Sequence, residues 1–136
     1  MLKIVVDTNV LVSSLLEIGP SKMITDLWID GRFELITSPK LFNELLTALK
    51  KPKLANRVSQ ADIDNFSSLI LADATIVTPA HTINICRDPK DNKVIECAIQ
   101  AKANIIATGD KDLLILHPFH GIDIIPPAEV IKRIVQ

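Results

Sequence analysis

Four short apolar runs, each followed by a segment of helical character, constrain the fold of this chain more than any other feature. They span residues 2–6, 33–37, 104–108 and 122–125 and are rich in isoleucine, valine and leucine, which favour buried strands. Strands that alternate with helices build a mainly parallel sheet covered by those helices. The sequence therefore predicts an α/β fold, and sheets of this kind bind ligands beyond the carboxyl ends of their strands.

Prolines and capping residues mark where several helices begin. Ser38-Pro39 and Asp88-Pro89 each place a capping side chain before a proline at the first helical position, which predicts helices over 39–50 and 89–102. No repeat or linker divides the chain, so residues 1–136 are expected to form a single domain. Further helices are expected at 9–16, 21–30, 53–58, 59–72 and from 127 onward, and further strand-like pieces at 75–77 and 83–85.

Composition narrows the classes of protein to which the chain can belong. The 136 residues carry a formal net charge of −1, with 48% hydrophobic and 23% charged residues. This balance excludes intrinsic disorder and a strongly basic nucleic-acid coat protein. The two cysteines, Cys86 and Cys97, are too few for a disulfide framework or a zinc site, so we expect free, buried thiols. No signal peptide is evident and no apolar run approaches the ~18 residues of a membrane helix, so we expect a cytoplasmic protein with no membrane contact.

Two of the predicted central strands end in an aspartate. Asp7 follows the first strand, and Asp110 follows the strand at 104–108, with Asp112 two positions further on. A carboxylate directly after a buried strand is costly unless it is paired, bound to a metal or turned toward water. A turn and a short helix are expected over 109–116. The alternative is that Asp7 caps the helix after the first strand and that Asp110 or Asp112 caps this short helix. Capping does not explain why two core strands end in the same way.

A third aspartate lies on the core-facing side of a predicted helix. Asp91 heads a stripe at helical spacing that continues through Val94, Ile95 and Ala98. It lies in the first turn, where the helix dipole favours an anion. Glu96 falls on the opposite face of the same helix, and we expect it to be solvated.

Asp88 and Glu44 have simpler interpretations. Asp88 precedes a proline, which is the pattern of a plain helix cap. Glu44 points away from the apolar stripe of its own helix, so the pattern alone favours an exposed glutamate. The chain has neither a P-loop nor a GxGxxG or GxSxG motif, so nucleotide-cofactor and serine-hydrolase chemistry lack support.

Chemistry at the strand ends would therefore rest on carboxylates alone. Hard oxygen ligands select Mg²⁺ or Mn²⁺ over Zn²⁺, and a divalent cation relieves the repulsion among clustered acids. Metal ions held by acids are common equipment for the hydrolysis of phosphate esters. The residues by themselves favour that class of reaction.

In their order and spacing, these acids resemble those of the PIN domain family. Within the family the chain is most like the toxin components of toxin–antitoxin pairs, the VapC-like ribonucleases. The resemblance implies a three-layer α/β/α fold with a mainly parallel sheet of about five strands, and it covers essentially the whole chain. It rests on Asp7-Thr8-Asn9 after the first strand, Glu44 on a helix, the stretch 87–92 that contains Asp91, and Thr108-Gly109-Asp110-Lys111-Asp112 after a later strand.

The resemblance also implies an activity and its residues. The implied reaction is endonucleolytic hydrolysis of RNA by metal-activated water, which leaves a 3′-hydroxyl and a 5′-phosphate. The implied partners are RNA, a cognate antitoxin protein and a second copy of the chain in a homodimer. The implied catalytic residues and ligands of Mg²⁺ or Mn²⁺ are Asp7, Glu44, Asp91 and Asp110, with Asn9, Thr108 and Asp112 in support and Asp88 either in support or only a cap.

Basic residues offer two alternative rims for RNA. One rim lies at the two ends of the helix that carries Glu44, where the cations either contact phosphates or are simply solvated. Its members are Lys40, Lys50, Lys51, Lys53 and Arg57. The alternative rim lies beside the proposed acids and consists of Lys90, Lys93 and Lys111.

Two other functions stay open from the sequence. A non-catalytic PIN-like module would bind RNA or a protein partner without turnover, and it would bind no metal. A phosphatase of the haloacid-dehalogenase type needs an Asp-x-Asp pair after the first strand. Here Asn9 stands at the third position of that motif.

Overall fold

Five strands form an all-parallel sheet in the computed structural model, which describes residues 1–136. They are β1 (Lys3–Val6), β2 (Glu34–Thr37), β3 (Thr75–Ile76), β4 (Ile105–Ala107) and β5 (Asp123–Ile125). Their order across the sheet is β3-β2-β1-β4-β5, so β1 is central and pairs with both β2 and β4. The predicted three-layer α/β/α fold is confirmed, with a sheet that is parallel throughout.

Eight α-helices connect and cover the strands. They are α1 (Thr8–Leu16), α2 (Pro20–Ile29), α3 (Pro39–Leu49), α4 (Pro52–Ala55), α5 (Gln60–Asp73), α6 (Asn92–Ala101), α7 (Lys111–Leu114) and α8 (Pro127–Val135). Most begin and end within a residue or two of the predicted positions. The helix expected from 21 begins at Pro20, because the proline itself occupies the first helical position. None of the helices combines the length and the apolar character needed to cross a bilayer.

Side-chain caps fix the starts of the elements that border the strand ends. Ser38 Oγ accepts a hydrogen bond from the backbone N–H of Leu41 at 3.3 Å and starts α3. Asp88 Oδ1 accepts one from the N–H of Lys90 at 3.0 Å and starts a short 3-10 turn that leads into α6. The cap predicted at Asp88 is therefore confirmed.

The core lies on both faces of the sheet. Along β1, Ile4 and Val6 point into one cluster of buried apolar side chains and Val5 points into the other. All three are buried, as expected for a parallel strand covered on both sides. Because helices occupy both faces, the ends of the strands are where polar chemistry meets solvent.

The strand expected at 83–85 does not form. Its backbone N–H groups bond to side chains of α6 instead of to another strand, with Ile83 N–H donating to Glu96 Oε2 at 2.8 Å. Asn92 Oδ1 accepts from the N–H groups of Ile85 at 3.2 Å and Cys86 at 2.9 Å. The expected solvation of Glu96 is wrong for the same reason, because this loop covers the glutamate and buries it.

Candidate metal centre

A polar cleft of about 730 Å³ opens where β1 and β4 end. Asp7 follows β1 and Asp110 follows β4, while Glu44 comes from the middle of α3 and Asp91 from the residue before α6. The fold thus brings four acids from four separate elements to one place. The residues that line the cleft include Asp7, Asn9, Glu44, Asp88, Asp91 and Asp110.

A hydrogen-bond relay joins the ends of the two central strands. Thr108 is fully buried, and its hydroxyl donates to Asp7 Oδ2 at 2.8 Å. The hydroxyl oxygen of Thr108 in turn accepts a hydrogen bond from the backbone N–H of Asp110 at 3.0 Å. The alternative in which Asp7 caps α1 is wrong, because its carboxylate makes no capping hydrogen bond and turns to Thr108 instead.

Asp110 does serve as a cap, although one of its oxygens is left over. Its Oδ1 accepts from the backbone N–H of Asp112 at 2.9 Å at the start of α7. Carboxylate oxygens of Asp91, Asp110 and Asp112 lie within 4.8 Å of one another. A cap and a place in an acidic group are therefore compatible roles for the same side chain.

Asp91 is the acid with the least local support. Its Oδ2 atom is buried and has no hydrogen-bond partner. Burial, together with the neighbouring carboxylate of Asp110, raises the pKa of Asp91 to about 7. Burial also raises the pKa of Asp7, against the hydrogen bond from Thr108 that lowers it. The charged forms of these acids lack a partner of opposite sign in this part of the cleft, and a divalent cation would be one.

Glu44 has such a partner in the protein itself. The ammonium of Lys93, on the first turn of α6, forms an ion pair with Glu44 Oε2 across the cleft. Both side chains are partly buried, with 22% of Lys93 and 31% of Glu44 exposed. The helical pattern favoured an exposed glutamate at this position, whereas in the fold Glu44 is partly buried and paired with Lys93.

Comparison with known proteins places this architecture in a family. The sequence profile of the PIN domain matches residues 3–112, which include all four acids of the cleft. The chain belongs to the PIN domain family. An uncharacterized protein of Methanocaldococcus jannaschii is 37% identical to it over an alignment of 123 positions that covers 85% of this chain and 75% of the relative. PIN domains are generally metal-dependent nucleases, and those nucleases act on RNA.

The donor set of this PIN domain fits a hard divalent cation. Its candidate ligands are all carboxylate oxygens, which suit Mg²⁺ or Mn²⁺. The unpartnered, buried Oδ2 of Asp91 is the atom that such an ion would satisfy. The thiol of Cys86, which lies close enough to respond to the charge of Asp91, is not a candidate metal ligand. Burial and the carboxylate of Asp91 raise its pKa to about 11, so it stays protonated at neutral pH.

The basic residues singled out in the sequence divide into separate places in this PIN domain. Lys40 and Lys51 line the cleft, as do Lys90 and Lys93 of the alternative rim. Lys50 lines a different hollow beside α5, and Arg57 donates to the backbone oxygen of Leu16 at 3.1 Å. The last two are outside the cleft, and so are Lys53 and Lys111.

Two residues that the sequence did not mark as part of a site, Asn43 and Thr47, also line the cleft. They lie one turn apart on α3, on the same polar face as Glu44, and both are exposed. Spacing of this kind is visible in the sequence as a polar face at helical period. It could not reveal the cleft, because a face turned to a polar cleft and a face turned to bulk water have the same composition. Both cysteines are free and buried, as predicted.

Proposed function

We propose that this PIN domain is a Mg²⁺- or Mn²⁺-dependent endoribonuclease in which Asp7, Glu44, Asp91 and Asp110 are the metal ligands and catalytic residues. The observation that carries the proposal is the convergence of these four acids on one cleft, with a buried oxygen of Asp91 left without a partner. That oxygen accepts no helix-capping hydrogen bond and takes part in no ion pair. A structural cluster evolved for stability alone would be expected to satisfy it.

A bound divalent cation would supply Lewis-acid polarisation of the phosphate and would activate a water molecule as the nucleophile. Other residues of the chain hold the proposed ligands in place. Thr108 holds Asp7 in one orientation through its hydroxyl, and Asp112 fixes Asp110 through its backbone N–H. In this proposal Asn9 adds a polar group at the mouth of the cleft, and Asp88 acts as the cap that sets the start of the segment carrying Asp91.

Lysines around the cleft would hold the negative backbone of RNA. Lys40 and Lys51 are exposed, line the cleft and form no ion pair, so their charges are available to phosphates. Lys93 neutralises Glu44 in the metal-free protein. Glu44 would serve as one of the ligands of a bound divalent cation, and the ammonium of Lys93, released from its ion pair, would be free to contact a phosphate oxygen. Metal binding and RNA binding would in that way favour each other.

The experiment that tests the proposal is RNA cleavage with purified protein, with and without Mn²⁺. We expect metal-dependent cleavage that falls by about 10² or more in Asp7→Asn and Asp91→Asn, since each change removes a charged ligand of the metal. Asp73→Asn, an exposed aspartate at the end of α5, is the matched control and should cleave like the wild type. Saturable RNA binding with no cleavage under any metal would favour the non-catalytic module instead.

We further propose, from the resemblance, that the protein is the toxin of a toxin–antitoxin pair and acts on RNA in the cytoplasm. Support comes from the stretches 87–92 and 108–114, which resemble that subgroup. A cognate antitoxin would then silence the enzyme in the cell. Induced expression should arrest growth of a bacterial host, and the Asp91→Asn protein at the same level should not. Equal growth with both proteins would contradict the toxin assignment.

A homodimer is also proposed. Apolar side chains stand exposed around a hollow between α2 and α8, among them Met23, Ile29 and Val135. Exposed groups of this kind are typical of protein interfaces. Sedimentation velocity should show a dimer that Ile29→Lys dissociates, and a monomer at all concentrations would contradict it.

A further inference from the structure

We propose that the cleft continues into a second, basic hollow that binds the single-stranded RNA backbone on one side of the cleaved bond. The proposal rests on the nuclease function given above and adds a subsite to it. The hollow has a volume of about 380 Å³ and lies between the start of α3, the start of α6 and the loop at 82–84. It shares Lys40, Lys90 and Lys93 with the cleft, so the two spaces adjoin.

The charges of the two spaces differ in a way that suits a polyanion. The cleft holds five acids among its lining residues, whereas the hollow holds only one, Glu96. That glutamate is buried and already accepts the N–H of Ile83 at 2.8 Å. Lys40 and Lys90 are exposed and form no ion pair. Beyond the acids, a chain of phosphates would therefore meet cations that no protein group has neutralised.

Two polar side chains in the wall of the hollow, those of Thr82 and Asn84, project from a loop whose backbone is held in place and have no partner within the protein. The loop is held against α6 by hydrogen bonds from its backbone to Asn92 and Glu96. Because those bonds hold the backbone, the side chains of Thr82 and Asn84 stay on the outside, where both are exposed and make no hydrogen bond within the protein. They offer donors and acceptors to ribose or phosphate oxygens.

The chemistry of the lining favours an unpaired strand read through its backbone. No aromatic side chain lines the hollow, and its only apolar side chains are those of Ile83 and Pro89, so bases have no aromatic platform on which to stack. A single strand can pass from the cleft into the hollow, because the two spaces adjoin at Lys40, Lys90 and Lys93. We therefore expect binding with little sequence preference and a strong dependence on salt.

The test is the salt dependence of binding to a fluorescein-labelled ten-nucleotide oligouridine, measured by anisotropy with Ca²⁺ in place of Mg²⁺. Gels run afterwards verify that the RNA is intact. For single strands, each phosphate contact contributes about 0.7 to the slope of log affinity against log salt. The double variant Lys40→Ala, Lys90→Ala should therefore lower that slope by about 1.4.

The matched control is Lys50→Ala, Lys53→Ala, which removes the same charge from positions outside the hollow and the cleft. It should keep the wild-type slope. Asn84→Ala should weaken binding about threefold at every salt concentration without changing the slope, because it removes a polar contact and no charge. Circular dichroism melts establish that each variant is folded.

The results separate this subsite from the nuclease proposal. Because Asn84 lines the hollow and not the cleft, unchanged affinity in Asn84→Ala would overturn the subsite. An unchanged slope in the Lys40, Lys90 variant, a loss confined to the Lys50, Lys53 variant, or no RNA binding by the wild type would each overturn it as well. If the protein cleaves RNA but the slope does not change, the nuclease proposal stands and the subsite fails. If the slope changes as expected but no metal supports cleavage, the RNA-binding subsite stands and the nuclease proposal fails.

Discussion

The two halves of the cleft are held in place in different ways. At the ends of β1 and β4, the buried hydroxyl of Thr108 joins Asp7 to Asp110 through hydrogen bonds of 2.8 and 3.0 Å. Between α3 and α6, the partly exposed ion pair of Glu44 and Lys93 spans the opening. The first half is held by a buried hydroxyl, whereas the second is held by an ammonium that a metal ion would displace under our proposal. The cleft thus combines a fixed wall at the strand ends with an adjustable wall between α3 and α6.

The largest effect should come from breaking the fixed wall. Thr108→Val keeps the shape of the side chain but leaves Asp7 Oδ2 and the N–H of Asp110 without their partner. Leaving such buried groups unpaired costs about 2–3 kcal/mol of unfolding free energy. Urea denaturation of the metal-free protein measures the loss. Thr108→Ser keeps the hydroxyl and should lose less than half as much, and equal losses would show that the hydroxyl is not what matters.

Asp91 should give an effect of opposite sign in the metal-free protein. The pKa of Asp91 is about 7 in the folded protein against an ordinary value of 3.8. The folded state therefore keeps a proton that the unfolded chain releases, so unfolding free energy falls as pH rises between about 4 and 7 and levels off above. Asp91→Asn removes that term. Because Asp91 is only partly buried and solvent screens its charge, we expect a gain of only about 1 kcal/mol, which raises Tm at pH 8 by about 4 °C.

The control for this comparison is the same substitution at the exposed Asp73, which should leave the pH dependence unchanged. Thermal melts at pH 5 and pH 8 measure it. If Asp91→Asn lowers Tm equally at both pH values, then the carboxylate of Asp91 is satisfied in the folded protein, and the argument from its unpartnered oxygen fails.

A smaller effect is expected at the adjustable wall. Lys93→Met removes the ammonium that pairs with Glu44 and keeps most of the apolar stem. Without this internal competitor, Mn²⁺ should bind about fivefold more tightly, a change of about 1 kcal/mol, whereas RNA should bind more weakly. Lys93→Arg keeps the charge and should change metal affinity little. Calorimetry and anisotropy measure the two affinities, and a parallel fall in both would contradict the exchange.

The smallest effect should come from the loop outside the cleft. Glu96→Gln keeps an oxygen that can accept the N–H of Ile83, so we expect a loss below about 0.5 kcal/mol. Glu96→Ala removes the acceptor and should lose about 1 kcal/mol. Denaturation curves compare the two, and metal affinity serves as the readout that neither variant should change. A large change in metal affinity would mean that the loop belongs to the adjustable wall.

The correct predictions and the missed ones both follow from what apolar periodicity in a sequence can show. Apolar periodicity located β1, β4 and the helix that follows Asp91, because burial on a regular element leaves a regular pattern. It gave Glu44 and Glu96 the same interpretation, as solvated side chains. Periodicity separates apolar from polar faces, but it does not say whether a polar face meets water, a cleft or the backbone of a loop.

Glu44 was placed near the other acids by resemblance to the PIN domain, and the structure shows it beside them at the cleft. Its pairing with Lys93 had no sequence signal, because the two residues lie on different helices far apart in the chain. The loop that buries Glu96 looked like a strand, since Ile83 and Ile85 favour extended backbone. The backbone N–H groups of Ile83 and Ile85 are indeed paired, but their partners are side chains of α6 and not another strand.

The most direct test of the central claim, that the four acids form a metal site, is titration of the purified protein with Mn²⁺ by calorimetry. The account predicts saturable binding by the wild type and by Asp73→Asn, and its loss in both Asp7→Asn and Asp91→Asn. Below pH 7 binding should release protons, because Mn²⁺ displaces the proton that Asp91 holds with its pKa of about 7. No binding at millimolar Mn²⁺, or equal binding by all four proteins, would contradict it.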